Sequence, residues 1–446
     1  MNIELSSYIE RQPLNARHWL ALVLCTLVVT FDGFNAQVMG YVAPSLTKAW
    51  HIPAPALGPV ISSGLVGLML GALVLGTLGD RLGRKTIVLA ATLLFGIFSL
   101  LTSFATSPSV MLGLRFLTGL GLGGAMPAAI ALISEYVPER SKTMMVTITV
   151  GGFAIGPAIG GFVGAHIIAS YGWASMFVLG GVIPICLVPV LWLLLPESPR
   201  FLVAKKANPS LISKNLRKVF PVAHFAEATQ YTHREGILPK AAVREVFADG
   251  RLIGSLLLWG AIFFNLVGIN LQTNWLPLEI TSRGYSIPQA VTATAGFHVG
   301  GAIGGLVLSV VVRQLNIFRA IGLIFLFAAI TTVCIGLFGT GLGTLRLTIF
   351  LAGIFAVGGQ AALNALSGLY YPSFIRSTGS GWALAVGRLG AAVGPLVGSL
   401  LASLHLNNSL LFYIEAIPFL LCGVAVALIP RNNSETGTPE LATVNE

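Results

Sequence analysis

The stretch FDGFNAQVMGYVAPSL, residues 31–46, puts an acid near the middle of an apolar run reaching from about 18 to 46. A charged side chain at the centre of such a helix costs about 2.5–3.5 kcal/mol on insertion scales, and a carboxyl group sheds that cost by taking up a proton. Asp32 is therefore a candidate for reversible proton binding. The plainer reading pairs it with a neighbouring arginine or lets it cap an unwound turn beside Gly33. Asn35 lies three residues on, about 60° round a helix, and shares its face. Arg115 and Arg388 sit in other apolar runs and cannot discharge by losing a proton. Each needs an anion, from a protein carboxylate or from a ligand, and guanidinium–carboxylate contacts are often bidentate. For Arg388, pairing with Asp32 or Glu135 stands level with direct ligand contact. Glu135, at the end of the fourth apolar run, either titrates or joins an ion network with Arg140.

Side-chain amides recur at helical spacing as Asn270 and Asn274, and again as Gln360 and Asn364, with Asn265 and Gln272 nearby. They suit hydrogen bonds to a hydroxyl or carboxylate, or serve as interhelical glue at about 0.6 kcal/mol each. His298 is a lone mid-run imidazole, more often packed than a proton relay. Phe264, Trp275 and Trp382 offer ring-stacking walls, although such aromatics are usually core.

These residues need elements to carry them. Of the 446 residues 55% are hydrophobic and 9% charged, against roughly 25% charged in a soluble domain, so the chain is an all-α polytopic membrane protein. Apolar windows fall near 18–46, 56–79, 86–106, 109–136, 142–169 and 172–195, then near 251–280, 288–312, 317–339, 342–370, 377–405 and 408–429. Each is long enough to cross a ~30 Å hydrocarbon core. The plan is a tail (1–17), a six-helix bundle (18–195), a charged linker (196–250), a second six-helix bundle (251–429) and a tail (430–446). Of the 26 Lys and Arg residues, only Lys48, Arg283 and Arg346 fall on the side away from the termini, with Arg115 and Arg388 inside spans. That bias places both termini in the cytoplasm and explains the net charge of +10 without nucleic acid. The first 17 residues carry no cleavable-signal pattern. The four cysteines read as small core hydrophobes rather than disulfides or metal ligands.

The halves repeat. LRFLTG, SEYVPERS and IGPAIGG (114–161) recur in order as LRLTIF, LYYPSFIRS and VGPLVGS (345–399). Two similar six-helix halves with a site between them is the plan of many secondary transporters. The GPAIGG and GPLVGS copies read as close-packing kinks.

GDRLGRK (79–85) joins the second and third spans. Gly79 and Gly83 permit a tight turn, and Asp80, Arg81 and Arg84 are placed to act as a gating loop. This loop resembles the signature of the major facilitator superfamily, whose 6+6 layout also matches. The first span, RFLTGLGLGGAMPAAIALISEYVPER (115–140) and YPSFIRSTGSGWALAVGRLGAAVGP (371–395) resemble the aromatic acid:proton symporters within it; LPESPRFL (195–202) is shared more widely. Two departures stand out. The second acid of that group's D-G-x-D pattern is Asn35 here, and the second-half copy of the signature loop is reduced to LSVVVRQLNIFR (308–319), without an acid.

The resemblance implies a proton-driven symporter importing a small aromatic carboxylate, with Asp32 and Glu135 handling protons. Asn35, Arg115, Asn270, Asn274, His298, Gln360, Asn364, Trp382 and Arg388 would meet the substrate. It implies a cell inner-membrane protein, monomeric, with protons as coupling ion and no other cofactor. The GPAIGG stretch is also similar to a motif of drug:proton antiporters, which keeps an exporter open, as it does a porter of sugars or non-aromatic acids. A transport-inactive sensor is a further alternative. No HExxH, CxxC or P-loop is present, ALSG (365–368) misses the intramembrane protease pattern, and neither an enzyme nor a metal site is expected.

Overall fold

Hydrocarbon offers backbone amides no partner, so each apolar window must close into a helix. The computed structural model describes residues 2–205, 207–220, 230–232, 243–338, 341–404 and 406–430. The tail from 431 and linker residues 221–229 and 233–242 lie outside the described residues. A short strand β1 (Asn2–Glu4) and helix α1 (Leu5–Arg11) precede six long helices: α2 (Ala16–Trp50), α3 (Leu57–Leu82), α4 (Arg84–Thr102), α5 (Pro108–Tyr136), α6 (Glu139–Tyr171) and α7 (Ala174–Leu194). The linker contributes α8 (Pro199–Ala204), α9 (Pro209–Val219), β2 (Gln230–Thr232) and α10 (Val243–Val246). Six more long helices follow: α11 (Leu252–Ser282), α12 (Ile287–Gln314), α13 (Ile317–Phe338), α14 (Leu342–Tyr370), α15 (Arg376–Ser403) and α16 (Asn408–Ala427). Among the described residues, twelve helices are long and apolar enough to cross a membrane. The shortest, α4 at 19 residues, spans about 28 Å at 1.5 Å per residue. Twelve crossings leave both ends of the chain on one face, here the terminal side; the other is the far side.

The sequence punctuates these helices. Asn15 opens α2 by accepting from the Arg17 and His18 amides, and Ser286 with Gln289 forms a capping box at α12. Gly83, at φ +103°, makes the turn between α3 and α4, a region of backbone space that side chains resist. The linker, read from sequence only as charged, holds real structure. The apolar face of α9 (Ile212, Leu216, Val219) packs with Leu5 and Ile9 against the first half, and Asn15 Nδ2 donates to the Val219 carbonyl at 2.8 Å. β1 and β2 pair in parallel.

Small residues set the packing within each half, and both halves use the same pairings. Between α3 and α5, a Cβ on Gly119 would sit 2.0 Å from the Gly64 carbonyl oxygen; between α12 and α14, one on Gly353 would sit 2.0 Å from that of Phe297. Gly156 of GPAIGG approaches the Thr30 carbonyl to 2.0 Å by the same measure, and Gly394 of GPLVGS approaches that of Val267 to 2.7 Å. The kink motifs are thus where α6 meets α2 and α15 meets α11, with backbones nearly touching.

The halves join through α2–α11, α3–α15 and α6–α12. Their close contacts gather toward the far side. Ser399 Oγ donates to the Pro55 carbonyl at 2.6 Å, Gly58 abuts Ser399, Gly161 abuts Ala295, and Gln37 Nε2 donates to the Thr273 carbonyl at 2.6 Å. Val291 of the second half is buried in one cluster with Phe34, Tyr41 and Leu57 of the first. On the terminal side each half keeps its own core. The molecule is therefore closed on the far side. Gly119→Val should destabilise the detergent-solubilised protein by about 1–3 kcal/mol through overpacking, read as a fall in thermal midpoint. Gly113→Ala, with nothing within 4 Å of its added Cβ, should leave it unchanged.

Candidate functional site

Asp32, Asn265, His298 and Arg388 each fall close to the midpoint of their helices, α2, α11, α12 and α15. They therefore occupy one layer half-way through the membrane, drawn from both halves. Asp32 is only 2% exposed, so it faces protein and not lipid, and its Oδ1 is buried without a hydrogen-bond partner. The group acting on it from across the junction is the Arg388 guanidinium, and the attraction is mutual. The two stop short of an ion-pair contact among the described residues. Arg388 is half-buried. Of the two acids weighed for Arg388, Asp32 is the one that acts on it, and Glu135 lies elsewhere. Buried polar groups without partners are rare and call for an explanation. Here Asn265 Oδ1 and His298 Nε2 share the condition at the same depth.

The amides form a chain rather than isolated glue. Asn265 Nδ2 donates to Gln360 Oε1 at 2.7 Å, and Gln360 Nε2 donates to Asn364 Oδ1 at 2.9 Å, linking α11 to α14. Asn270 and Asn274 turn their amide N–H groups onto their own helix, at the Leu266 and Asn270 carbonyls, which leaves Asn274 Oδ1 buried and unpartnered. Gln272 points away from this set, to Thr332 of α13 at 2.9 Å.

Three expected ligand residues are placed differently. Asn35 is fully engaged inside the first half: its Nδ2 donates to the Phe31 and Gly180 carbonyls and its Oδ1 accepts from Ser99. It is 0% exposed, with both amide N–H groups and one Oδ1 lone pair taken, so it is shut away from a ligand, because the helix turns it toward α4 and α7 instead of the junction. Arg115 is 3% exposed and forms no ion pair among the described residues. Its Nη2 donates to the Asn35 carbonyl at 2.8 Å and its guanidinium lies over the Phe177 ring at 5.8 Å. It braces α5 against α2 and α7, while its Nε and Nη1 stay unpartnered. Trp382 stacks on Trp259, centroids 6.1 Å apart at 14°, and Trp259 Nε1 donates to Tyr371 Oη at 2.9 Å. Six residues separate it from Arg388, about 120° round the helix, so the two do not share a face.

Glu135 belongs to a network at the terminal ends of α3, α4, α5 and α7. Arg84 bridges Asp80 at 2.8 Å and Glu135 at 3.1 Å, and also donates to the Gly79 carbonyl at 2.8 Å. Ser198 Oγ donates to the other Glu135 oxygen. The Arg140 expected there instead reaches the Gln12 carbonyl at 3.2 Å. Glu197 of LPESPRFL, unassigned in the sequence reading, accepts from the Lys85 and Ser198 amides at 3.0 and 2.9 Å. Lys85 Nζ donates to the Trp192 carbonyl at 2.6 Å. The gating loop and this second motif are therefore two parts of one latch, its charge provided by Asp80, Arg84, Glu135 and Glu197.

One acidic pair was missed altogether. Glu279 of α11 and Glu415 of α16 meet near the far side beside Arg283. Glu415 stands in NSLLFYIEAIPFLL, an acid in an oily run as conspicuous as Asp32, and Glu279 is four residues before Arg283.

Two similar six-helix halves, with an unpartnered carboxyl group and a fixed cation facing each other where they meet, define a membrane transport protein of the secondary-transporter class. The chain belongs to the Major Facilitator Superfamily, whose sequence pattern matches residues 22–348 and 322–444. It is 40% identical over 425 residues to a gallate transporter of Pseudomonas putida, covering 95% of this chain and 94% of that one. It is 37% identical to a 4-hydroxybenzoate transporter of Pseudomonas aeruginosa, covering 96% and 95%. Among solved structures, a D-xylose–proton symporter shares the fold at a TM-score of 0.71 and 19% identity, over 93% of this chain and 98% of that one. The protein transports; it is not an enzyme.

The latch makes a separable prediction. Arg84→Gln and Glu135→Gln should be non-additive in thermal stability, with a coupling within about 0.5–3 kcal/mol because the pair is largely buried. A double-mutant cycle on the solubilised protein measures it, and additive losses would show that the two side chains act independently.

Proposed function

We propose that the protein is a proton-coupled symporter that takes up a small hydroxylated aromatic carboxylate. It would act as a monomer in the cell's inner membrane, with both termini in the cytoplasm. The observation that carries the reading is Asp32, a buried carboxyl group with a free oxygen, facing Arg388 across the junction of the halves. The similarity to gallate and 4-hydroxybenzoate transporters supports the substrate class. The excess of Lys and Arg on the terminal side supports the orientation.

Charge balance gives the coupling. With the site empty, Asp32 ionised and Arg388 cationic sum to zero. A substrate carboxylate seated at Arg388 would make the layer negative, unless Asp32 takes a proton. Proton and substrate together restore zero, so only the empty and the doubly loaded layers are neutral enough to be buried as the halves rock. A proton alone leaves Arg388 unbalanced, and a substrate alone leaves an excess anion; both are held back. The far-side path is closed in the structure, so release runs to the terminal side, which this orientation makes the cytoplasm.

The chain Asn265–Gln360–Asn364 lies beside this layer, and its amide groups are suited to hydrogen-bond ring hydroxyls. His298 Nε2 and Asn274 Oδ1 supply further polar atoms. One proton with a monoanion moves no net charge, so membrane potential alone should drive no accumulation. A second proton per cycle would add about 2.3 kcal/mol per 100 mV.

Purified protein in liposomes should accumulate labelled 4-hydroxybenzoate or gallate when the outside is acid, and lose that accumulation when the proton gradient is collapsed. Asp32→Asn should abolish pH-driven accumulation while sparing counterflow exchange; unchanged accumulation would put the coupling proton elsewhere. Arg388→Lys keeps the charge but loses the planar fork. It should weaken substrate affinity about tenfold, equivalent to about 1.4 kcal/mol.

A further inference from the structure

A second pair of carboxyl groups lies outside the layer just described, at the far-side end of the second half. Glu415 is 1% exposed, and neither of its oxygens has a hydrogen-bond partner. It lies within hydrogen-bond reach of Glu279, whose Oε2 is also buried and unpartnered. Both line a cavity of about 180 Å³ with Trp275, Gly398 and Leu401, and its wall is completed by Ala54 from the first half. Two facing carboxylates cannot hydrogen-bond to each other unless one carries a proton.

The surrounding charges define how many protons are needed. On α11 and the turn after it stand Glu279, Arg283 and, acting on Arg283, Tyr285; on α16 stands Glu415. α15 and the Ala54 turn bring no titratable side chain to the cavity. Arg283 is held in place by other contacts: its Nη1 donates to the Ile335 carbonyl of α13 at 3.0 Å and its guanidinium lies over the Phe412 ring at 4.8 Å, while its buried Nη2 has no partner and its charge acts on the two acids. Two carboxylates with one guanidinium leave a single negative charge, and one proton brings the cluster to zero. A metal cation is disfavoured, because Arg283 already stands where it would repel one.

We propose that Glu279 and Glu415 form a far-side proton site, sharing one proton whenever the far side is closed. The lid is the junction itself. Ala54 packs beside Trp275 and Leu401, and the next residue, Pro55, is held through its carbonyl by Ser399. Separating the halves on this side lifts Ala54 away and lets water reach the buried Glu415 beside the half-buried Glu279, so that both ionise. The closed state holds one proton more than the open state, so alkaline conditions on the far side favour opening and acid favours closure. The proton enters and leaves by the same side, so it gates the cycle without being transported. This rests on the alternating movement of the two halves proposed above, not on Asp32 as the coupling group.

The full chain in nanodiscs, spin-labelled at the exposed far-side positions 51 and 403, tests it by distance measurement across a pH series. The unaltered protein should shift toward the longer, open distance as pH rises. The double variant Glu279→Gln with Glu415→Gln should lose that shift and stay closed, and Glu415→Gln alone should at least reduce it. Asp32→Asn should keep it. Binding of labelled 4-hydroxybenzoate, or a sharp size-exclusion peak where binding is lost, establishes that each variant is folded. A pH response that survives in folded double variant, or in folded Glu415→Gln at full size, overturns the proposal. Loss of the response in Asp32→Asn alone would move the sensing group to the mid-membrane layer and overturn it as well. Uptake by Asp32→Asn in liposomes judges the coupling reading separately.

Discussion

A guanidinium in the middle of a membrane cannot discharge. Carboxyl groups can become neutral by binding a proton, but Arg388 stays cationic in every state the molecule visits. Some negative charge must therefore accompany it whenever its layer is shut off from water. In the structure the group able to supply that charge faces it from α2, as Asp32. Helix midpoints, small-residue packing and the two-half plan all serve to bring these two groups to the same depth from opposite sides of a movable junction. Because they stop short of contact, the arrangement is compatible with the proposed seating of a second anion at Arg388.

The junction can move because it is built asymmetrically. Within each half, helices meet backbone to backbone at glycines, where an added Cβ would lie about 2 Å from a carbonyl oxygen. Such contacts cannot slide without clashing, and each half is stiff. Between halves glycines also approach closely, Gly58 to Ser399 and Gly161 to Ala295, but these contacts gather near the far side, and the hydrogen bonds among the described residues are single side chains meeting backbone carbonyls, Gln37 to Thr273 and Ser399 to Pro55. Breaking each exposes one carbonyl and one donor to water, at a net cost of about 1 kcal/mol apiece. A seam with so few hydrogen bonds, confined to one side, is suited to the rocking proposed above.

Much of this was legible in the sequence. Twelve apolar windows, the repeat of LRFLTG and GPAIGG, and the signature loop specify class, layout and family, because the bilayer leaves one solution for the backbone and the motifs are local. Asp32 and Arg388 were legible for a related reason: an ionisable residue in an oily run is costly enough to be conspicuous. The direction each polar side chain takes was not legible. Asn35 shares a helical face with Asp32 to within about 60°, yet that angle is enough to turn it into the first half, where it is buried against Ser99 and Gly180. Glu135 was placed in the right neighbourhood, but its partner depends on how the α3–α4 turn folds back, which brings Arg84 and not Arg140. Glu279 and Glu415 lie far apart in sequence, and nothing local says that they meet.

That pair extends the logic of the central layer to the edge of the molecule. At mid-membrane one fixed cation faces one acid, and under the proposed coupling neutrality is restored by adding an anion and a proton together. At the far side one fixed cation, Arg283, sits with two acids, and neutrality is restored by a proton alone. The first balance reports whether substrate is present; the second responds only to the acidity of the compartment it faces. A carrier with both would close over its load more readily where protons are plentiful, which is the condition under which carrying a proton inward is downhill. The fold achieves this without any direct link between the two sites, because each separately requires zero net charge before the same junction can shut.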